Sequence, residues 1–264
     1  MATYKDEAIV LHAHDLGEAD RIISMLTAGR GLRRAVAKGV KRTASRFGAR
    51  LEPFTHLKVV LHEGRNLDTV TQAEIIRSHS PLRSDFEKFL FGQAMLELVE
   101  RSLPENQNLP RLFDILRVTL GVMEGEVEDP ALLLAAFQLK VCALIGYHPR
   151  LDTCLHCGRE VSGDKVRLDP VGGGIVCASC AARSGTASTL SAGALELMRG
   201  IMGEGMASIA RRREDPLAVS EVLGISFLLA EGFLERRLRS RRIVLDHLKG
   251  KGRPFPLSAE PSRG

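Results

Sequence analysis

The sequence predicts a multidomain α+β protein: a small β-barrel first, then a helical domain with a short cysteine-bearing module inserted in it. Three observations carry this. Five short runs, most of them rich in β-branched residues, fill the first 80 residues. From Ser80-Pro81 onward apolar residues recur at helical steps. Among the helical stretches lie two Cys-x2-Cys pairs, Cys154/Cys157 and Cys177/Cys180, with nineteen residues between them. With 264 residues and 44% apolar content the chain can pack a core in each part. The expected division is a barrel domain at 1–80, helical parts at 81–150 and 187–250, a metal-binding module at 151–186 and a flexible tail at 251–264.

The strand runs are Ala8–His12, Arg21–Thr27, Leu32–Val40, Leu57–His62 and Leu67–Ile76, punctuated by DLGEAD, AGRG and EGRN. Five strands in so short a span suit a closed barrel; a Greek-key OB-fold has that count, and an SH3-like barrel fits the same periodicity. Next, Leu82, Phe86, Phe89, Leu90, Leu96, Val99 and Leu103 form a helical stripe interrupted by Gln93. Ser84 with Glu87 has the form of a capping box and places the helix start there; Pro104 ends the run. Further helices are expected over Leu109–Met123, over Pro130–Tyr147 (apolar on most faces, hence buried), over Ser191–Met202, and from Pro216 to about Leu248 behind the Asp215-Pro216 start signal.

The charge is unevenly distributed. Net charge is +5, but residues 1–80 carry 13 basic and 9 acidic side chains, residues 81–150 carry 7 and 10, and residues 191–264 carry 13 and 9. Gly29–Arg50 holds Arg30, Arg33, Arg34, Lys38, Lys41, Arg42, Arg46 and Arg50 with no acid among them. Such a run suits a polyanion, since Lys and Arg neutralise phosphates and release counterions. Aromatic platforms for bases are scarce: the barrel region offers Tyr4, Phe47 and Phe54, with Phe54 assigned to the core and Phe47 the best stacking candidate, a packing role fitting it equally well. Binding is therefore expected to rest on phosphates and to weaken steeply with salt. A second basic cluster, Arg236–Arg253, includes Arg237, Arg241 and Arg242 around an apolar stripe of Leu234, Leu238, Leu245 and Leu248. It suits DNA, or an acidic peptide with apolar residues.

The paired cysteines have the spacing of a Cys₄ zinc ribbon. One tight turn presents two sulfurs to one ion, and two such turns complete a tetrahedron. Four thiolates leave no open position, so a structural rather than catalytic Zn²⁺ is expected. Gly172–Gly174 marks a hairpin turn between the pairs, His148 and His156 read as surface residues, and Cys142 as a buried small side chain. There is no phosphate-binding G-x-x-x-x-G-K-[ST] loop, no HExxH and no nucleophile–base arrangement, so no enzyme is expected. MATYKDEAIV lacks the form of a signal peptide, and the apolar run Ala131–Gly146 is short for a membrane span, so a soluble cytoplasmic protein is expected.

Three stretches, YKDEAIVLHAHDLGEADRIISMLTAGRG with AKGVKR, FQLKVCALIGYHPRLDTCLHCG, and LERRLRSRRIVLDHL, lie in the order seen in RecO, the bacterial recombination-mediator family, which the sequence resembles. The resemblance implies an N-terminal OB-fold, a helical C-terminal domain and an inserted zinc module. It also implies binding of single- and double-stranded DNA, annealing of complementary strands, and help in loading RecA onto DNA coated by single-strand-binding protein. RecR and the acidic tail of single-strand-binding protein are the implied partners. By the same resemblance Arg33, Arg34, Lys38, Lys41, Arg42, Arg46 and Arg50 touch DNA. A zinc-ribbon and OB protein acting on RNA, or in transcription or translation, is the alternative reading of the same residues.

Overall fold

The structure is a computed structural model. It describes residues 2–43, 45, 47–104, 107–161, 165–184 and 188–253, without the side chains of residues 165 and 182–184. The chain forms two compact units, Met1–Gly125 and Glu126–Gly264.

In the first unit β1 (Thr3–Leu16), β2 (Asp20–Thr27), β3 (Gly31–Ala37), β4 (His56–His62) and β5 (Asp68–Arg77) close into a barrel in the order β1-β2-β3-β5-β4. All neighbours are antiparallel except β3 and β5, which pair in parallel over two positions only, Ala35↔Asp68 and Val36↔Thr69. The two-residue period of a strand sends Ile23 and Met25 of β2, Ala35 and Ala37 of β3, and Val59 and Leu61 of β4 into one core. Phe47 and Leu51, at the 3-10 turn Gly48–Leu51, complete it. Phe47 is 1% exposed, so its ring fills the barrel and offers no face to a base. Of the two roles open to Phe47, stacking is overturned and packing holds, because the ring belongs to the core cluster of the barrel. Phe54 is buried, as expected.

The helical stripe that follows is split. α1 (Ser80–Ser84) ends where Asp85 turns extended, and α2 (Phe86–Ser102) begins behind it. Asp85, not Ser84, is the cap: its carboxylate accepts the Lys88 N–H at 2.9 Å, while the Ser84 hydroxyl donates back to the Pro81 carbonyl at 3.2 Å. A carboxylate one residue nearer the helix outcompetes the hydroxyl for the same orphan N–H groups. α3 (Pro110–Met123) completes the unit.

Two histidines are buried in this unit. His56 meets Glu7 Oε1 at 2.6 Å, and His79 faces Glu124 Oε1 at 2.8 Å, with Arg77 on the same carboxylate. Burial pulls both imidazoles below their ordinary value; Glu7 and Glu124 oppose it, and Arg117 and Arg77 beside His56, and Arg77 and His56 beside His79, add to it. Below the unfolded value of about 6.5 the unfolded chain takes up protons that the folded one refuses. Stability is thus full above that pH and falls as pH drops toward the lowered folded values. A thermal midpoint lower at about pH 5.5 than at about pH 7.5 is the expected result, with His79→Gln flattening the difference; a flat wild-type profile would refute it.

The second unit is built on α4 (Pro130–Leu144) packed against α8 (Pro216–Leu234), with α6 (Ala192–Gly203) and α7 (Met206–Ile209) beside them. Asp129 and Asp215 cap α4 and α8 ahead of prolines, as the Asp-Pro signals direct. α4 is buried on most faces, as expected. α8 has the length and apolarity to cross a bilayer, with a mean hydropathy of 1.8, yet 67% of that window is buried inside the protein. It is the core helix of this unit. One polar pair sits in this core: Ser226 Oγ donates to Gln138 Oε1 at 2.6 Å, fixing how the two helices register.

The single helix expected from Pro216 to about Leu248 is two. Glu235 takes a left-handed conformation (φ 51°), and α9 (Arg239–Gly250) starts after a short link. The break is held by Glu231, whose carboxylate accepts the Leu238 N–H at 2.9 Å and the Arg241 guanidinium at 2.6 Å.

Between α4 and α6 a small antiparallel sheet runs in the order β7 (Gly174–Val176), β6 (Lys165–Asp169), β8 (Ser188–Ser191), with α5 (Ala178–Ser184) behind β7. The triple glycine is the β6–β7 turn, as expected. Gly173 has φ 76°, and a Cβ there would lie 2.8 Å from the Tyr147 ring. The Tyr147 hydroxyl donates to the Pro170 and Val171 carbonyls at 2.6 and 2.8 Å. The ring also packs on Phe233 of α8, so the hairpin is fastened to the core helix.

Candidate metal centre and basic barrel face

Each Cys-x2-Cys pair sits on a turn shaped by backbone hydrogen bonds. At the first, the Gly158 N–H donates to the Cys154 carbonyl at 3.0 Å and the Cys154 N–H to the Arg159 carbonyl at 2.8 Å. At the second, the Cys180 N–H donates to the Cys177 carbonyl at 3.0 Å as α5 begins. The Leu155 N–H bonds the Ile175 carbonyl at 2.9 Å, which brings the two turns face to face.

The four Sγ atoms lie within 4.8 Å of one another, and Cys157 Sγ and Cys177 Sγ are 3.7 Å apart. A tetrahedral ion at about 2.3 Å from each sulfur needs edges of about 3.8 Å, so the set fits one ion. Burial opposes ionisation of Cys154, but N–H groups of Cys177, Cys157 and His156 directed at its sulfur outweigh that and bring it down to about 6. The hydrogen bond with Cys177, with burial, pushes Cys180 up to about 12. The cluster therefore holds protons that a divalent ion displaces on binding. His148 and His156 are exposed and stand outside the four-sulfur group. Cys142 is buried in α4, its thiol pushed up to about 12 by burial.

The basic run does not form one patch. Arg30 stacks over the Tyr4 ring at 3.9 Å, with Arg33 at 5.9 Å. Arg34 is exposed on β3. Lys38, Lys41 and Arg42 are exposed on the turn beyond the other end of that strand, and Arg50 is exposed on the 3-10 turn. Along β3, Arg34 and Lys38 are four residues apart, about 13 Å at 3.3 Å per residue, and Arg30 lies beyond the opposite end of the strand. Arg46 lies outside the described residues. Acids that the run lacks in sequence reach it in space. Lys41 Nζ meets Asp15 at 2.9 Å; Arg21 bridges Asp15 and Glu52 at 3.1 and 3.0 Å; the Gly39 N–H bonds Asp20 at 2.7 Å. Hydrogen bonds from Lys41 and Arg21 hold the Asp15 carboxyl below its ordinary value.

In the second cluster Arg237 lies exposed in the α8–α9 link, and Arg242 is 90% exposed opposite Asp246 at 3.6 Å. Arg241 is mostly covered and paired with Glu231, joining α9 to α8. Leu238, Val244 and Leu248 form the docked face of α9. Sequence reasoning marks EGRN only as a turn; the structure places its Arg65 beside Arg33 and Arg34.

A closed strand barrel with cationic side chains, carried in one chain with a helical unit that holds a four-cysteine cluster, defines a modular protein of the barrel-and-cysteine-knuckle class. Residues 1–79 match the family described as Recombination protein O N terminal, and residues 83–242 match Recombination protein O C terminal. The chain belongs to the RecO family of DNA repair proteins. It is 41% identical over 248 residues to "DNA repair protein RecO" of Thermobifida fusca (strain YX), covering 92% of this chain and 99% of that protein. It is 42% identical over 246 residues to the protein of the same name from Frankia casuarinae, covering 91% and 97%. The Symbiobacterium thermophilum protein of that name is 35% identical over 248 residues, covering 92% and 97%.

Proposed function

We propose that this protein binds single- and double-stranded DNA through its barrel and anneals complementary strands. In the same reading it helps RecA load onto DNA coated by single-strand-binding protein, acting with RecR in the bacterial cytoplasm at the nucleoid. The observation that carries this is the strand order β1-β2-β3-β5-β4, the order of an OB-fold, with exposed Arg34, Lys38, Lys41 and Arg42 on and beyond β3. Family membership adds the setting of DNA repair.

The mechanism is electrostatic and makes or breaks no covalent bond. Two strands approaching each other repel; a surface that neutralises phosphates on both lowers that cost, and base pairing does the rest. Cys154, Cys157, Cys177 and Cys180 hold a structural Zn²⁺, which organises the module around them. Arg237 and Arg242 offer a second cationic surface, suited to DNA or to the acidic tail of single-strand-binding protein.

Annealing of complementary oligonucleotides, followed by fluorescence with and without single-strand-binding protein, tests the reading. Acceleration that fades with added potassium chloride is expected; a rate equal to the protein-free rate would sink it. The acids beside the turn make a further prediction. Asp15→Asn releases Lys41 and Arg21 and raises oligonucleotide affinity by up to about fivefold. An unchanged or weaker affinity in a binding titration would refute it.

A further inference from the structure

We propose that His12 and His14, side by side on the outer face of β1, chelate a divalent transition-metal ion at a site separate from the four cysteines. Strand periodicity alone would bury both. Ala8 and Val10 face the barrel core, and a regular period of two would send His12 and His14 in after them. A bulge prevents it. Val10 stands opposite Met25 and His12 opposite Ser24, so Leu11 has no counterpart on β2 and the alternation shifts by one residue. Ala13 then packs against the core, and the two histidines turn outward. The segment entering β4 holds the bulge: the Val10 N–H donates to the Thr55 carbonyl at 2.9 Å, and the Phe54 N–H to the Val10 carbonyl at 3.0 Å.

The two rings lie with their centroids 4.0 Å apart. Imidazoles that close, on one hydrogen-bonded strand, can each turn one nitrogen toward a common ion, with water completing its shell. The surroundings favour a cation and its water. Glu100 of α2 is near enough for its carboxylate to act on the charge of His12. Ser24, the cross-strand neighbour of His12, shares the outer face, because Ile23 and Met25 on either side of it point into the core. It is 1% exposed, and its hydroxyl has no hydrogen-bond partner among the described residues. A buried hydroxyl without a partner is rare, and a water carried by the ion would supply one. His12 is half-buried and His14 exposed, so an ion can enter from solvent. Imidazole nitrogen suits Ni²⁺, Cu²⁺ or Zn²⁺; Mg²⁺ and Ca²⁺ take oxygen ligands and are not expected here.

Calorimetric titration of Ni²⁺ into untagged protein, loaded beforehand with one equivalent of Zn²⁺ to fill the thiolates, tests the site. A single further equivalent should bind, and the paramagnetic ion should broaden the NMR signals of His12, His14 and Ser24 before any others. His14→Ala, an exposed change that leaves the fold intact, should weaken binding by about tenfold or more, a loss that removing even a group hydrogen-bonded to a ligand produces. His12→Gln should act alike, with the zinc content of both variants unchanged. Wild type that takes up no Ni²⁺, an affinity untouched by His14→Ala, or broadening centred on another histidine overturns the site.

Discussion

Stripping the Zn²⁺ proposed for the four-cysteine cluster lowers the thermal midpoint of the protein by roughly 10 °C or more. The estimate follows from a loss of at least about 4 kcal/mol, the scale of metal removal among single-site changes, at 2–4 °C per kcal/mol for chains of this size. The physical reason is the size of the local core. Around the cluster, among the described residues, Cys154, Val176 and Ala181 are packed as a buried group, with Leu155, Val161, Cys177 and Cys180 partly buried against it. So small an apolar centre does not offset the ordering of the two cysteine-bearing turns, and the proposed ion would supply the difference. Cys157→Ser is the sharper variant, because Cys157 is exposed and its replacement removes a ligand while disturbing little packing. Metal content by mass spectrometry and the unfolding midpoint should fall together. Rebinding should release protons, because cysteine binds a metal as the thiolate. A variant that loses its ion yet unfolds within about 2 °C of wild type would show that the cluster is not holding the module together.

The triple variant Lys38→Ala/Lys41→Ala/Arg42→Ala loses on the order of tenfold or more in affinity for single-stranded DNA and most of its annealing activity. Each phosphate contact on a single strand contributes ~0.7 to the salt slope, so the slope falls by as much as ~2. The three side chains do not share that loss equally. Lys41 is already paired with Asp15, so part of its charge is spent before a phosphate arrives. Lys38→Ala and Arg42→Ala should therefore each cost more than Lys41→Ala. Annealing rates for the single variants, set beside the triple, read this order directly. Equal rates for triple variant and wild type would show that the turn beyond β3 is not where strands are held.

Most of the fold is legible in the sequence, because it is written in local patterns. Four of the five strand runs are read to within about three residues of their ends because β-branched residues alternate between Gly, Asp and Asn turns, whereas β1 runs from Thr3 to Leu16, well beyond the Ala8–His12 run; the barrel follows from strand count. The Asp215-Pro216 start is a cap whose chemistry lies within four residues. The misreadings arise where a choice depends on contacts distant in sequence. Ser84 and Asp85 are both competent caps, and the extended backbone at Asp85 decides between them. The break after Leu234 is imposed by Glu231 reaching Leu238 and Arg241, and an apolar stripe that continues into α9 conceals it. Phe47, flanked by Arg46 and Gly48, looks like a surface ring until the barrel interior is assembled around it.

The candidate sites divide the same way. Four cysteines at fixed spacing announce a metal cluster because both pairs are local turns. The basic run announces charge but not its distribution, since Asp15 and Asp20 come from the facing ends of β1 and β2 and Arg65 from the β4–β5 turn. Periodicity carries no information about which turns meet. Arg241 is counted with a cationic surface by sequence and is found paired with Glu231.

The two-position pairing of β3 with β5 gives the barrel hoop one lightly riveted joint. Four of its five junctions are long antiparallel ladders; the fifth has little to resist opening, so amide deuteration in the isolated protein should enter the ring there first. A strand bound across that joint would act as an external stitch, slowing deuteration on both sides of it, and the barrel would be at its most rigid when loaded.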